Sequence, residues 1–300
     1  MYRIGIDLGG TNTAAGLVDD GGGIIDRATV KTNLPTTIEK IVSNILLLTD
    51  LLLQRNHLTI GDIASMGIGV PCTADKESGC MKDADHLGFA QGQLVAPLKE
   101  ALSIPIFIEN DANAAALGEF EGGGYGGNSF VLVTLGTGIG GGIILNRRLV
   151  TGCNHTAGEL GHMVIDSHGE YCGCGRRGCF EAYGSATALV RQASAALAQP
   201  IEDAKAVFDL AAAGNDTARQ VLDRYTSYLA EGFANIINLL APDWLCIGGG
   251  VSAAGNALLE PVRQKTYARI LSKNAQKNTR IILAKLQNDA GILGAALLDN

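Results

Sequence analysis

No Gly-Lys dipeptide occurs in the 300 residues, which excludes the usual P-loop with its phosphate-seeking lysine. Nor is there a stripe of lysine or arginine. With 23 basic and 30 acidic residues the formal net charge is -7, so little exists to release counterions along a nucleic-acid backbone. An anionic ligand must then be met by local donors and a divalent cation. The chain opens on Tyr2-Arg3-Ile4-Gly5-Ile6-Asp7, a strand pattern without the basic and apolar regions of a secretory signal. Apolar runs such as Ile45 to Leu53, interrupted by Thr49 and Asp50, fall short of the ~20 residues that span a bilayer. A cytoplasmic protein that binds neither membrane nor nucleic acid is expected. No Pro/Ser-rich tether divides the chain, so two lobes would meet at a hinge.

Glycine, by contrast, is abundant: 40 of 300 residues, well above the usual ~7%. It clusters in turns between apolar segments, as in an ordered α/β protein. Two turns stand out, Asp7-Leu8-Gly9-Gly10-Thr11-Asn12 and Leu135-Gly136-Thr137-Gly138-Ile139-Gly140-Gly141-Gly142, each between two apolar, β-branched runs. Glycine allows φ > 0 and lets N–H groups converge on an oxyanion without a Cβ in the way; the threonine hydroxyls add donors. One such turn would read as an ordinary β-turn. Two, with Asp7 beside the first, point to a nucleotide's polyphosphate. Gly136, Gly138 and Gly141 also match G-x-G-x-x-G, but Gly142 to Asn146 reads as a strand rather than a helix, which argues against a dinucleotide fingerprint.

The first third reads strand, strand, strand, helix, strand: Tyr2 to Leu8, Thr13 to Asp19, Ile24 to Lys31, a helix, then Ala64 to Val70. Thr36 and Glu39 form a capping box ahead of a buried face built from Ile38, Ile41, Val42, Ile45, Leu46, Thr49, Leu52 and Leu53. After Pro105 to Ile108 the pattern restarts, with a second hairpin from Ser129 to Leu145. A long helix from about Asp216 to Leu240 follows, then a short strand, Asp243 to Ile247, ending in Gly248-Gly249-Gly250. The repetition predicts an α/β fold of two related lobes with a duplicated ββαβ-containing core and the nucleotide in the cleft. The lobes are expected at 1-110 plus 290-300 and at 111-289, the apolar helix from Asn288 to Leu298 packing back on the first.

Asp111 follows an apolar strand in Ile108-Glu109-Asn110-Asp111-Ala112-Asn113 and opens an alanine-rich helix. It reads either as the helix cap or as a general base that takes a proton from an attacking hydroxyl, with Asn110 orienting the same substrate; the two phosphate-type turns favour the base. Three cysteines of the chain's seven lie at Cys172, Cys174 and Cys179, spaced by glycines, and His162 stands ten residues before the first. Their ligand type and spacing favour a structural Zn²⁺ over buried free thiols, with His155 the spare histidine. His57, His86 and His168 are expected on the surface or in loops. Glu159 and Glu181 flank the knuckle and offer acceptors to sugar hydroxyls. Cys72, Cys80, Cys153 and Cys246 read as small apolar fillers.

These motifs resemble, in order and over nearly the whole chain, those of the ROK family of sugar kinases, which share the two-lobed ATPase fold of actin and hexokinase. The resemblance implies ATP and Mg²⁺, with Asp7 near the metal and phosphate held by Gly9, Gly10, Thr11, Asn12, Gly136, Thr137 and Gly138. Gly248, Gly249 and Gly250 would serve the adenosine. Asp111 would be the catalytic base, and Asn110, Glu159, His162 and Glu181 would hold a sugar, most of all glucose, for phosphorylation at its 6-hydroxyl. His162 would also join Cys172, Cys174 and Cys179 on zinc, and the protein would be a homo-oligomer, a dimer. Some members are repressors with an N-terminal helix-turn-helix, for which a first strand at Tyr2 leaves no room. One departure falls in Asp85-His86-Leu87-Gly88, where many family glucokinases carry asparagine in place of His86, which bears on sugar preference.

Overall fold

The computed structural model describes residues 1–298. Strands β1 (Tyr2–Leu8), β2 (Asn12–Val18) and β3 (Ile24–Lys31) form an antiparallel meander. Helix α1 (Ile38–Arg55) follows, then β4 (Ile63–Val70), a small antiparallel sheet of β5 (Thr73–Asp75), β6 (Cys80–Lys82) and β7 (Gln91–Gln93), helix α2 (Val95–Leu102), β8 (Ile106–Asn110) and helix α3 (Asp111–Gly122). The second half repeats the scheme. It runs β9 (Phe130–Leu135), β10 (Ile139–Leu145) and β11 (Arg148–Leu149), then α4 (Glu181–Gly184), α5 (Ala186–Leu197), α6 (Ala204–Ala212) and α7 (Asp216–Leu240). It ends with β12 (Trp244–Gly248), α8 (Asn256–Arg269), α9 (Lys273–Asn278), β13 (Arg280–Leu283) and α10 (Asp289–Ala296).

The two large sheets have the same topology, β3-β2-β1-β4-β8 and β11-β10-β9-β12-β13. In each, a hairpin's first strand pairs in parallel with a later strand, which pairs in parallel with another. The carboxyl ends of the parallel strands therefore share one edge, where open α/β sheets bind ligands. In the first sheet that edge leads into Gly9 and Asp111; in the second, into Gly136 and Gly249.

Helix α1 buries Ile41, Ile45, Thr49, Leu52 and Leu53 of the face read from its periodicity, while Ile38, Val42 and Leu46 of that face are half-buried and Leu48, outside it, is buried as well. Its cap differs from the expectation. Thr37, not Thr36, accepts from Lys40 N–H, while the Thr36 hydroxyl is buried without a hydrogen-bond partner among the described residues.

The chain divides into two compact units, Met1–Gly126 with Leu149–Ala157 and Lys285–Asn300, and Gly127–Arg148 with Gly158–Ala284. The expected break at 110/111 thus moves to 126/127, and the return moves from 290 to 285; residues 299 and 300 of the expected first lobe lie outside the described residues. The reason is packing: α3 lies on α10, and both cover the first sheet. Gly5 and Gly67 on that sheet and Gly118 on α3 face the carbonyls of Ile292, Ala295 and Ala290, and Gly294 faces that of Ala114. A Cβ at any of the four would collide with backbone, so close approach fixes these glycines.

Candidate active site

In the first unit, the β1–β2 turn is three residues long. Gly9 N–H donates to Asn12 O at 2.9 Å, and the Thr32 hydroxyl donates to Gly9 O at 2.7 Å while lying 3.1 Å from the Thr13 hydroxyl. The N–H groups of Gly10 and Thr11 have no acceptor among the described residues. Asp7 lies one residue before the end of β1 with its carboxylate against Gly291, and burial pushes its carboxyl above the usual carboxylate range.

Asn110 is the N-cap of α3: its Oδ1 accepts from Ala112 N–H at 3.0 Å and Asn113 N–H at 3.2 Å, and its Nδ2 lies 3.4 Å from Cys72 O. Asp111 is therefore the first helical residue rather than the cap, and its Oδ1 accepts from Ala112 N–H at 2.7 Å. A carboxylate in the first turn of a helix is favoured by the macrodipole. Beneath it lies Gly69, where a Cβ would sit in van der Waals contact with Asp111 Cα at 3.4 Å. Burial, then the nearby Asp111 charge, pushes the Cys72 thiol up to about 12.

In the second unit, the β9–β10 turn matches the first in length and topological place. Gly136 N–H donates to Gly138 O at 3.0 Å, and the N–H groups of Thr137 and Gly138 have no acceptor among the described residues. The turn is tied down from outside. Ala186 N–H reaches Gly136 O at 2.8 Å, the Thr187 hydroxyl reaches Thr137 O at 2.9 Å, and Glu181 Oε2 accepts from Ile139 N–H at 2.8 Å. None of Gly9, Gly10, Gly136 and Gly138 takes positive φ, contrary to the expectation. Their lack of side chain matters instead: Gly136 faces open space, and a Cβ on Gly138 would strike the Glu181 carboxylate. Positive φ is used at Gly249 (78°), after β12, where a Cβ would also meet the backbone of Leu135.

The knuckle lies beside that turn. Ligand atoms of His162, Cys172, Cys174 and Cys179 all fall within 4.8 Å of one another, with Cys172 Sγ 3.7 Å from His162 Nδ1 and Cys174 Sγ 3.6 Å from Cys179 Sγ. Short backbone bonds shape it, Cys172 N–H to Arg176 O at 2.9 Å and Gly175 N–H to Cys172 O at 3.0 Å. Phe180, fully buried, fixes its end by packing on Gly232 and edge-on against Phe233 at 5.9 Å. Cys172 Sγ also lies 3.7 Å from Glu181 Oε1, so Glu181 joins the knuckle to the glycine turn.

Glu159 is exposed at the start of a short 3-10 turn that carries half-buried His162. His57, His86 and His168 are exposed, as expected; Cys72 and Cys246 are buried fillers, but Cys80 is half-buried and Cys153 exposed. Three features escaped the sequence reading: the Thr32 brace under the first turn, the Glu181 brace of the second, and Glu109. Glu109 is fully buried, accepts from Asn110 N–H at 2.8 Å and Asn113 Nδ2 at 3.0 Å, and is ion-paired with Lys76. The first two pairings join residues more than 20 positions apart, and nothing local signals them. Among the described residues no helix is long and apolar enough to cross a membrane.

The ROK family model matches residues 3–300. A glucokinase of Halalkalibacterium halodurans is 36% identical over 312 aligned positions, covering 99% of this chain and 94% of that protein. An N-acetylmannosamine kinase of Escherichia fergusonii is 34% identical, covering 99% and 98%. Among solved structures, a ROK glucokinase from Streptomyces griseus in complex with glucose and AMPPNP superposes with a TM-score of 0.83 at 32% identity, covering 99% of this chain and 98% of that one.

Proposed function

This chain belongs to the ROK family and is a sugar kinase with the two-lobed fold of actin and hexokinase, and we propose that it transfers the γ-phosphoryl group of Mg-ATP to the 6-hydroxyl of glucose. Asp111 takes the hydroxyl proton as the sugar oxygen bonds to the γ-phosphorus and the bond to the β-phosphate oxygen breaks, giving glucose 6-phosphate and ADP. The single observation that carries the reading is the pair of matching turns, each with two adjacent N–H groups lacking an acceptor among the described residues, placed at equivalent ends of two like sheets. Adjacent N–H groups of this kind suit phosphate oxygens.

Gly10, Thr11, Thr137 and Gly138 supply these donors, Gly9, Asn12 and Gly136 shape the turns that present them, and Gly248, buried at the end of β12, leads into exposed Gly249 and Gly250 for the adenosine. Asp7 serves Mg²⁺, whose charge would favour its ionised form. Asn110 Nδ2, Glu159, His162 and Glu181 hold sugar hydroxyls. Three thiols and an imidazole gathered within 4.8 Å suit Zn²⁺ by ligand softness and number. The ion would brace the knuckle and take no part in the transfer. We infer a cytoplasmic homodimer that binds no nucleic acid.

ADP release measured over glucose, mannose, fructose, allose, N-acetylglucosamine and N-acetylmannosamine tests the reading. Glucose is expected to exceed both N-acetylated sugars in kcat/KM by ~10²-fold or more, since unpaired polar groups in a desolvated site penalise the wrong partner. Preference for N-acetylmannosamine would overturn glucose and keep the kinase; hexose binding without any turnover would favour a sugar-sensing regulator.

A further inference from the structure

Glu109 is a fully buried carboxylate whose two oxygens have unequal surroundings. Oε1 accepts from the Asn110 backbone and the Asn113 side chain, on either side of Asp111. Oε2 is buried, and its one polar partner among the described residues is the Lys76 ammonium, with which it is ion-paired. A carboxylate in that position needs a counter-charge, because desolvation without one is strongly unfavourable.

The chain around Lys76 is shaped to deliver that charge. Asp75 Oδ1 accepts from the N–H groups of Glu77 at 3.2 Å and Ser78 at 3.1 Å, and Gly79 N–H closes on Asp75 O at 2.8 Å. Asp75 Oδ2 holds Lys82 at 2.6 Å, which occupies the neighbouring ammonium. The turn between β5 and β6 is thus fixed with Lys76 directed at the end of β8. In the sheet, Glu109 pairs with Gly69, the residue under Asp111.

We propose that Lys76 is a positioning residue for phosphoryl transfer: by neutralising buried Glu109 it holds the Asn110–Asn113 turn, and with it Asp111, in the geometry for proton removal. Lys76 acts through Glu109 and needs no contact with sugar or nucleotide. The proposal rests on the assignment of Asp111 as the base.

Wild-type turnover on the sugar panel is measured first, and its absence would remove the kinase reading alone. Lys76→Met, Lys76→Arg and Lys76→Met/Glu109→Gln are then compared by steady-state kinetics, by glucose-binding stoichiometry, and by hydrogen exchange at the amides of Asn110, Ala112 and Asn113, which needs no turnover. Lys76→Met is expected to lower kcat per glucose-binding site at least about tenfold, with KM for glucose and ATP within about threefold, and to speed exchange at those amides about tenfold. Lys76→Arg keeps the charge and should stay within about threefold of wild type; the double variant, with no buried charge left to balance, should recover most of both losses. Wild-type kcat per binding site and unchanged exchange in Lys76→Met would overturn the proposal. So would a folded double variant with turnover and exchange as impaired as in Lys76→Met. If Lys76→Met does not fold, the double variant decides alone: active with protected amides it supports the proposal, and folded but inactive it overturns it.

Discussion

At the scale of single residues, the sequence alone does not say whether Asn110 or Asp111 caps α3. Either could cap α3, since both are good cap residues; the structure commits the Asn110 carbonyl oxygen to the cap and leaves Asp111 inside the first turn. Asp111→Asn should therefore leave the helix start intact while removing the base. Turnover is expected to fall at least ~10²-fold with glucose affinity largely kept, read by coupled assay and calorimetry; near-normal turnover would refute the assignment. The neighbouring Cys72 reports on the same corner. Its thiol is pushed up to about 12 by burial and by Asp111, so between about 9 and about 12 the unfolded chain loses this proton before the folded one does. Stability contributed by the neutral thiol is present below that window and lost as pH rises through it, with a slope of at most ~1.4 kcal/mol per pH unit from one group. Urea melts of wild type and Cys72→Ala across that range should diverge, the wild type losing stability faster. Parallel curves would mean that the thiol titrates normally.

At the scale of elements, strands and hairpins were legible because their apolar runs and glycine turns are local signals. The edges of α1 were less so. Thr36 and Thr37 carry the same side chain, and only the path of the chain decides which hydroxyl meets Lys40 N–H. The distinction is measurable. Thr37→Ala should destabilise by about 1 kcal/mol, as loss of an N-cap does. Thr36→Val should be neutral or stabilising, because it replaces a buried hydroxyl that has no hydrogen-bond partner among the described residues with a methyl of similar volume. Thermal melts that rank the two substitutions the other way would restore the original reading. Long-range braces were invisible for a different reason: Glu181 on Ile139 and Lys76 on Glu109 span 42 and 33 positions, and no periodicity encodes such a pairing.

At the scale of the whole molecule, the duplication was legible in the order of motifs, whereas the unit boundary was not. It follows the partner that α3 packs on, and that partner lies near the other end of the chain. The knuckle is local in sequence, and its four donors come together within 4.8 Å. Removing its ion should weaken glucose binding more than ATP binding, because Cys172 and Glu181 connect it to the second turn. Elemental analysis of protein purified without added metal is expected to give about one zinc per chain. Full activity in thoroughly chelated, zinc-free protein would refute that role.

The glycine seats for α10 carry a further consequence, for biosynthesis. Gly5, Gly67 and Gly118 leave the ribosome early, but the helix that fills against them emerges only after all of the second unit. At bacterial to eukaryotic elongation rates of ~5–20 residues per second, the first sheet and α3 wait roughly ten to thirty seconds with that face open. The second unit contains its own complete sheet and can close during the delay. The nascent first unit is thus the part with exposed apolar surface for a chaperone to recognise, and the later half of the chain is the first to mature.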